Sequence, residues 1–163
     1  MSKHIAIEGF KKELFEILDE TFEQVHGIYL DKGTSLFETL ETITAAEASR
    51  PVSATCACIA AQVEHVRFYL HVLGEYMQDK PVGKVDWNVS WQLKHVTPEQ
   101  WETLKQQLKA TYQHILAIIN GFDTWQGEND LSGSLAVLVH TAYHLGEIRQ
   151  ALCVVKRPAA LGQ

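Results

Sequence analysis

Apolar side chains recur along most of this chain at three- and four-residue steps, the spacing that gathers them on one face of an α-helix. Phe10, Leu14, Ile17, Leu18, Phe22 and Val25 make the first stripe, with Lys11, Lys12, Glu16, Asp19 and Glu20 filling the other face. They predict an amphipathic helix over 7–25. Gly27 and Gly33 then loosen the chain. Thr34-Ser35-Leu36-Phe37-Glu38 reads as a second helix start, for a short segment to 41 or beyond. A polar connection follows and ends at Arg50-Pro51, because the residue before a proline disfavours helix.

The next long stripe is Ile59, Val63, Val66, Leu70 and Leu73, which predicts a helix over 53–77 that Pro81 and Gly83 terminate. Residues 84–95 carry Trp87 and Trp91 without a helical period and read as an ordered loop packed by aromatics. Thr97-Pro98-Glu99-Gln100 is a helix N-terminus: Thr97 as cap, Pro98 in the first turn, Gln100 closing a capping box. That helix runs through Trp101, Leu104, Leu108, Tyr112 and Ile115 to Asn120-Gly121, where glycine stops it. A turn-rich connector over 122–133 leads to a last helix, starting near Asp130 or Ser132 and reaching Lys156, ahead of Pro158. Lys156 and Arg157 sit at its negative dipole end. No period-two run is long enough to make a strand. The expected architecture is all-α: a four-helix bundle in a single domain over 1–163, with the aromatic loop between the second and third long helices.

Composition narrows the function without naming it. The chain has 163 residues, 46% hydrophobic and 21% charged, a globular balance. Its formal charge of −6 argues against general nucleic-acid binding and against an anionic membrane surface, both of which need clustered Lys and Arg. No apolar run approaches the ~20 residues that span a bilayer. Met1-Ser2-Lys3-His4-Ile5 leads straight into amphipathic sequence and does not read as a signal peptide, so the expected compartment is the cytoplasm. Cys56, Cys58 and Cys153 are an odd number, which fits reduced thiols, and all three read as buried packing residues.

The chemistry concentrates in His140-Thr-Ala-Tyr-His144. Histidines four apart share one helix face and can aim at one metal ion. Glu147 lies on the same stripe, three residues past His144, and can orient a bound water or a histidine N–H. Thr141 stands where zinc proteases carry their general-base glutamate, so a protease reading fails. Two histidines on one helix need a third ligand from elsewhere. His65, inside the second long helix among Ala61, Val66, Phe68 and Tyr69, is the preferred candidate, because a buried imidazole needs a partner for its polar atoms. His114 is the substitute. His71 is turned away from His65, while His4 and His95 fall near ends or loops; His26 completes the set. The Trp87–Trp91 segment is open to two readings, core packing or a wall of the pocket.

Three stretches resemble the DinB-like, YfiT-type superfamily of metal-binding four-helix bundles. They are His140-Thr-Ala-Tyr-His144-Leu-Gly146-Glu147-Ile148-Arg149-Gln150; Ile59-Ala-Ala-Gln62-Val-Glu-His65-Val-Arg-Phe-Tyr69-Leu; and Asp86-Trp87-Asn-Val-Ser90-Trp91, followed by Trp101. The resemblance extends from about Phe10 to Val155. It implies a divalent metal held by His65, His140 and His144. Some relatives place a histidine one turn before the second-helix ligand, where this chain has Gln62, an amide and a poor transition-metal ligand. The resemblance also implies a cytoplasmic homodimer and links to stress or detoxification. Some relatives transfer or isomerise with a low-molecular-weight thiol.

The function expected from that resemblance is a metal-dependent transferase that joins a small thiol to an electrophile, with Glu147 or Tyr69 as proton carrier or orienting group. Three neutral imidazoles leave a metal its full charge and an open position. Zinc and nickel lead, and copper or iron also accept nitrogen ligands. A hydrolase using the same centre, or a non-catalytic dimeric module with a closed metal site, are the alternatives.

Overall fold

The computed structural model describes residues 6–157. About 65% of the chain is helical, and no strand occurs among the described residues. Among the described residues six α-helices follow in order: α1 Ile7–Phe22, α2 Leu36–Glu41, α3 Ala45–Ser49, α4 Ile59–Tyr76, α5 Pro98–Asn120 and α6 Asp130–Val155. A 3-10 turn, Trp87–Trp91, lies between α4 and α5. The four long helices are those the hydrophobic stripes predict.

Their apolar faces meet in one core. α4 packs against both α5 and α6, and α1 against α6. Leu18, Phe22, Ile59, Val63, Leu70, Leu108, Ile115, Val137 and Ile148 are fully enclosed there. The Phe22 and Tyr112 rings stack at 3.9 Å between centroids. Trp101 is buried because its indole N–H finds a partner, the Ile43 carbonyl at 2.8 Å. At Gly133 a Cβ would meet the Met77 side chain at 2.7 Å, so glycine is what lets the start of α6 approach the end of α4.

Local signals explain most boundaries. α5 opens on the expected capping box: Thr97 accepts from the Gln100 N–H, and the Gln100 side chain accepts from the Thr97 N–H. Ser35 and Glu38 form the same motif on α2. Four expectations are corrected. The polar connection before Pro51 contains α3, opened by a Thr44–Glu47 capping box. α4 begins at Ile59 rather than at 53, since the segment after Pro51 stays irregular until Cys58. α1 ends at Phe22 rather than at 25.

The fourth correction explains the third. Glu20, assigned to the polar face, is fully buried. Its carboxylate accepts the backbone N–H groups of His26 and Ile28 at one oxygen and of Tyr29 and Leu30 at the other, at 2.6–2.9 Å. The chain leaves α1 and folds back over this acceptor, so the helix cannot continue. Burial alone would raise the Glu20 pKa; the four donors outweigh it and hold the carboxyl at about 2.

The thiols are also corrected in part. All three are free, but only Cys58 is buried; Cys56 and Cys153 are exposed. No described helix is long and apolar enough to cross a membrane.

Candidate metal centre

α6 carries His140 and His144 one turn apart on the face that meets α4, and α4 carries His65 opposite them. One ligand atom from each lies within 4.8 Å of the others, close enough to share one ion. His65 and His144 are only 8% and 4% exposed, so their rings are committed to the interior. The three sequence candidates therefore come together, two by helical spacing and the third by packing.

Hydrogen bonds hold two of the rings in defined orientations. The Ser90 hydroxyl, in the 3-10 turn, donates its one proton to the Trp87 carbonyl at 2.8 Å. It can then only accept from His65 Nδ1–H, also at 2.8 Å, which leaves His65 Nε2 with a free lone pair. His144 Nδ1 lies 2.6 Å from the Gln62 side-chain oxygen, which only accepts, so Nδ1 carries the proton and Nε2 is again free. The Gln62 amide in turn donates to Glu147 Oε2 at 3.0 Å, and the Tyr143 hydroxyl donates to Glu147 Oε1 at 2.7 Å. Gln62 thus serves as a bridge beside the cluster.

Aromatic rings fix the remaining faces. Trp91 stacks on His65 at 4.0 Å between centroids, and Tyr69 stacks on His140 at 3.5 Å and 5°. Trp91 therefore walls the site, while Trp87 packs edge-on against Phe68 and stays partly exposed. Tyr69 reaches the cluster through its ring, and burial raises its phenol pKa.

Electrostatics keep the imidazoles neutral, the form that binds metal. Burial pushes the His140 pKa down to about 3, and the neighbouring His144 and His65 push the same way. Burial, then His144, brings His65 to about 4, against a small opposing pull from Glu147. Burial also lowers His144, although Glu147 at 3.2 Å partly offsets it. With His144 neutral and its Nδ1–H directed to Gln62, that contact is not an ion pair. Glu147 itself stays ionised: burial would raise it, but Tyr143, Gln62 and His144 together hold it below the usual carboxylate range.

The donor set fits a divalent transition metal. Three imidazoles are a usual catalytic-site complement. One observation points the same way from the opposite side: His140 Nδ1 is buried with no hydrogen-bond partner, an expense that a metal or a reoriented ring would remove. Among the described residues, no carboxylate or thiolate joins the cluster. Glu147 stands behind His144, and His114 sits on α5 against Gln78 at 3.3 Å. His71 and His95 are exposed, and His26 pairs with Asp19. His4 lies outside the described residues. Thr141, at the position of the missing protease glutamate, is fully buried.

An open cleft of about 790 Å³ reaches the cluster from one side. His65, His144, Trp91, Gln62 and Glu147 line its inner end, and Val52, Cys56, Ala57, Gln150, Ala151 and Val154 extend it outward. Cys56, Ser90 and the pairing partners of Gln62 carry no local signal in the sequence. No protein-family model, curated protein or solved structure matches this chain.

Proposed function

We propose that this chain is a DinB-like four-helix bundle that holds a divalent transition metal, zinc or nickel, and transfers a low-molecular-weight thiol to an electrophile. The observation that carries the reading is the convergence of His65, His140 and His144, with no fourth side-chain ligand among the described residues, beside an open cleft that His65 and His144 line. A closed structural site uses four protein ligands; three leave a position for a substrate. Bound there, a metal would supply the Lewis-acid charge that stabilises a thiolate near neutral pH.

The chain's own groups do the rest. Ser90 and Gln62 hold two rings with Nε2 lone pairs available, so little reorganisation is needed on binding. Glu147, on the cleft wall, is the group able to take the thiol proton, and Tyr143 and Gln62 orient its two oxygens. Tyr69 braces His140 by stacking and is the second candidate for proton transfer. Trp91 and the aliphatic wall exclude water from one side of the reacting atoms.

A second reading has one observation of its own. Leu131, Leu135, Val139 and Tyr143 repeat every four residues along α6 and are 41–65% exposed. Such a ridge favours a homodimer, and with it a non-catalytic module acting in stress or detoxification. A hydrolase would use the same centre with water in place of the thiol. The discriminating experiment loads the purified protein with zinc or nickel and assays thiol consumption against an activated aryl halide, before and after chelation. Metal-dependent turnover supports the transferase. Ester hydrolysis without thiol transfer would select the hydrolase, and inert metal-loaded protein the non-catalytic module.

A further inference from the structure

The cleft has a charge asymmetry that the reaction class does not require. Among the described residues, Glu147 is the only carboxylate in its lining, and no Lys or Arg lines it. Arg149 Nη1 donates to Thr39 Oγ1 at 3.4 Å, and Lys156 Nζ donates to the Thr42 carbonyl at 2.7 Å. Of the other basic side chains close in sequence, Arg50, two residues before Val52, is exposed and outside the lining, and Arg67 pairs with Glu64. Lys94 belongs to a neighbouring cavity that shares Cys56, Ala57 and Trp91 with the cleft. The rest of the lining is Val52, Ala57, Ala151 and Val154, with the Gln62 and Gln150 amides and the Trp91 and Tyr143 rings.

We infer that the cleft takes a small ligand with a metal-binding donor at one end and a cationic amine at the other, the amine resting at Glu147, and discriminates against the matching carboxylate. The inference rests on the metal-centre reading above and adds the ligand's charge. A carboxylate at the ligand's free end would face Glu147 with no basic side chain of the lining beside it, and like charges placed together cost affinity. An ammonium gains the carboxylate and can lie over the Trp91 or Tyr143 ring, which attracts cations. The aliphatic outer wall favours a short, unbranched body over a heavily hydrated one.

Thiols with the same two-carbon spacer between sulfur and end group but different charge make the test: cysteamine, 2-mercaptoethanol and 3-mercaptopropionate. The protein is loaded with cobalt(II), and each thiol is titrated while the sulfur-to-cobalt charge-transfer absorption is followed. These thiols differ in acidity, so the readout is how the cysteamine-to-mercaptopropionate affinity ratio changes between wild type and variants, which cancels that difference. Glu147→Gln should lower the ratio at least fivefold. Gln150→Lys, a substitution at an exposed cleft position, should lower it in the same direction while leaving Glu147 in place. A ratio unchanged within twofold in both variants overturns the inference, as does wild-type protein that binds cobalt but none of the thiols. Protein that takes up no cobalt overturns the metal-centre reading instead, so the two failures are distinguishable.

Discussion

Ser90 decides which nitrogen of His65 carries the proton. Its hydroxyl has one proton, spent on the Trp87 carbonyl, so it must accept from the imidazole. Groups that hydrogen-bond a metal-binding histidine typically contribute roughly 10- to 100-fold to metal affinity. Ser90→Ala should therefore weaken metal binding by at least about tenfold in a competition titration, while Ser90→Thr, which keeps the hydroxyl, should stay close to wild type. Equal affinity in Ser90→Ala would mean that the Trp91 stack alone orients His65. The three ligand candidates were legible because His140 and His144 follow helical spacing and His65 sits on an apolar face. Their supports were not. Ser90 lies 25 residues from His65 and Gln62 lies 82 from His144, so only the packed fold brings each pair together. Gln62 could be dismissed as a ligand from its chemistry, but its bridging role needed the geometry.

Element boundaries follow where short-range chemistry is strong. Thr97-Pro98-Glu99-Gln100 marks the start of α5 to the residue, and a capping box of the same kind, Thr44 with Glu47, was present for α3. A helix of five residues has no hydrophobic period of its own, so only that cap could have revealed it. The end of α1 was illegible for a different reason. Glu20 fits the polar stripe by position, and its burial depends on a returning loop that supplies four N–H donors. Glu20→Gln sets an amide N–H₂ against two of those donors and should cost on the order of 3 kcal/mol in denaturant unfolding. The pH dependence has a definite sign. The folded carboxyl is depressed from 4.5 to about 2, so its contribution is present above about 4.5 and is lost as pH falls toward 2. The stability gap between wild type and Glu20→Gln should accordingly narrow over that window; a gap constant from pH 7 to pH 2 would contradict the assignment.

At the scale of the molecule, four long helices surround one core, and the all-α class was plain from periodicity alone. What periodicity could not supply was adjacency. α4 touches both α5 and α6, and that contact turns a histidine pair on α6 into a cluster of three. A metal there would tie α4 to α6, and a ligand that binds only the folded state stabilises it by about 2.7 kcal/mol at 100 times its Kd. Metal content is the most direct test of the account. Elemental analysis of protein purified without chelator, and of protein reloaded with zinc or nickel, should give about one equivalent per chain. His65→Ala and His140→Ala should each lose it while circular dichroism stays helical. Stoichiometric metal retained in both variants, or a folded wild type that takes up neither zinc nor nickel, would contradict the three-histidine centre.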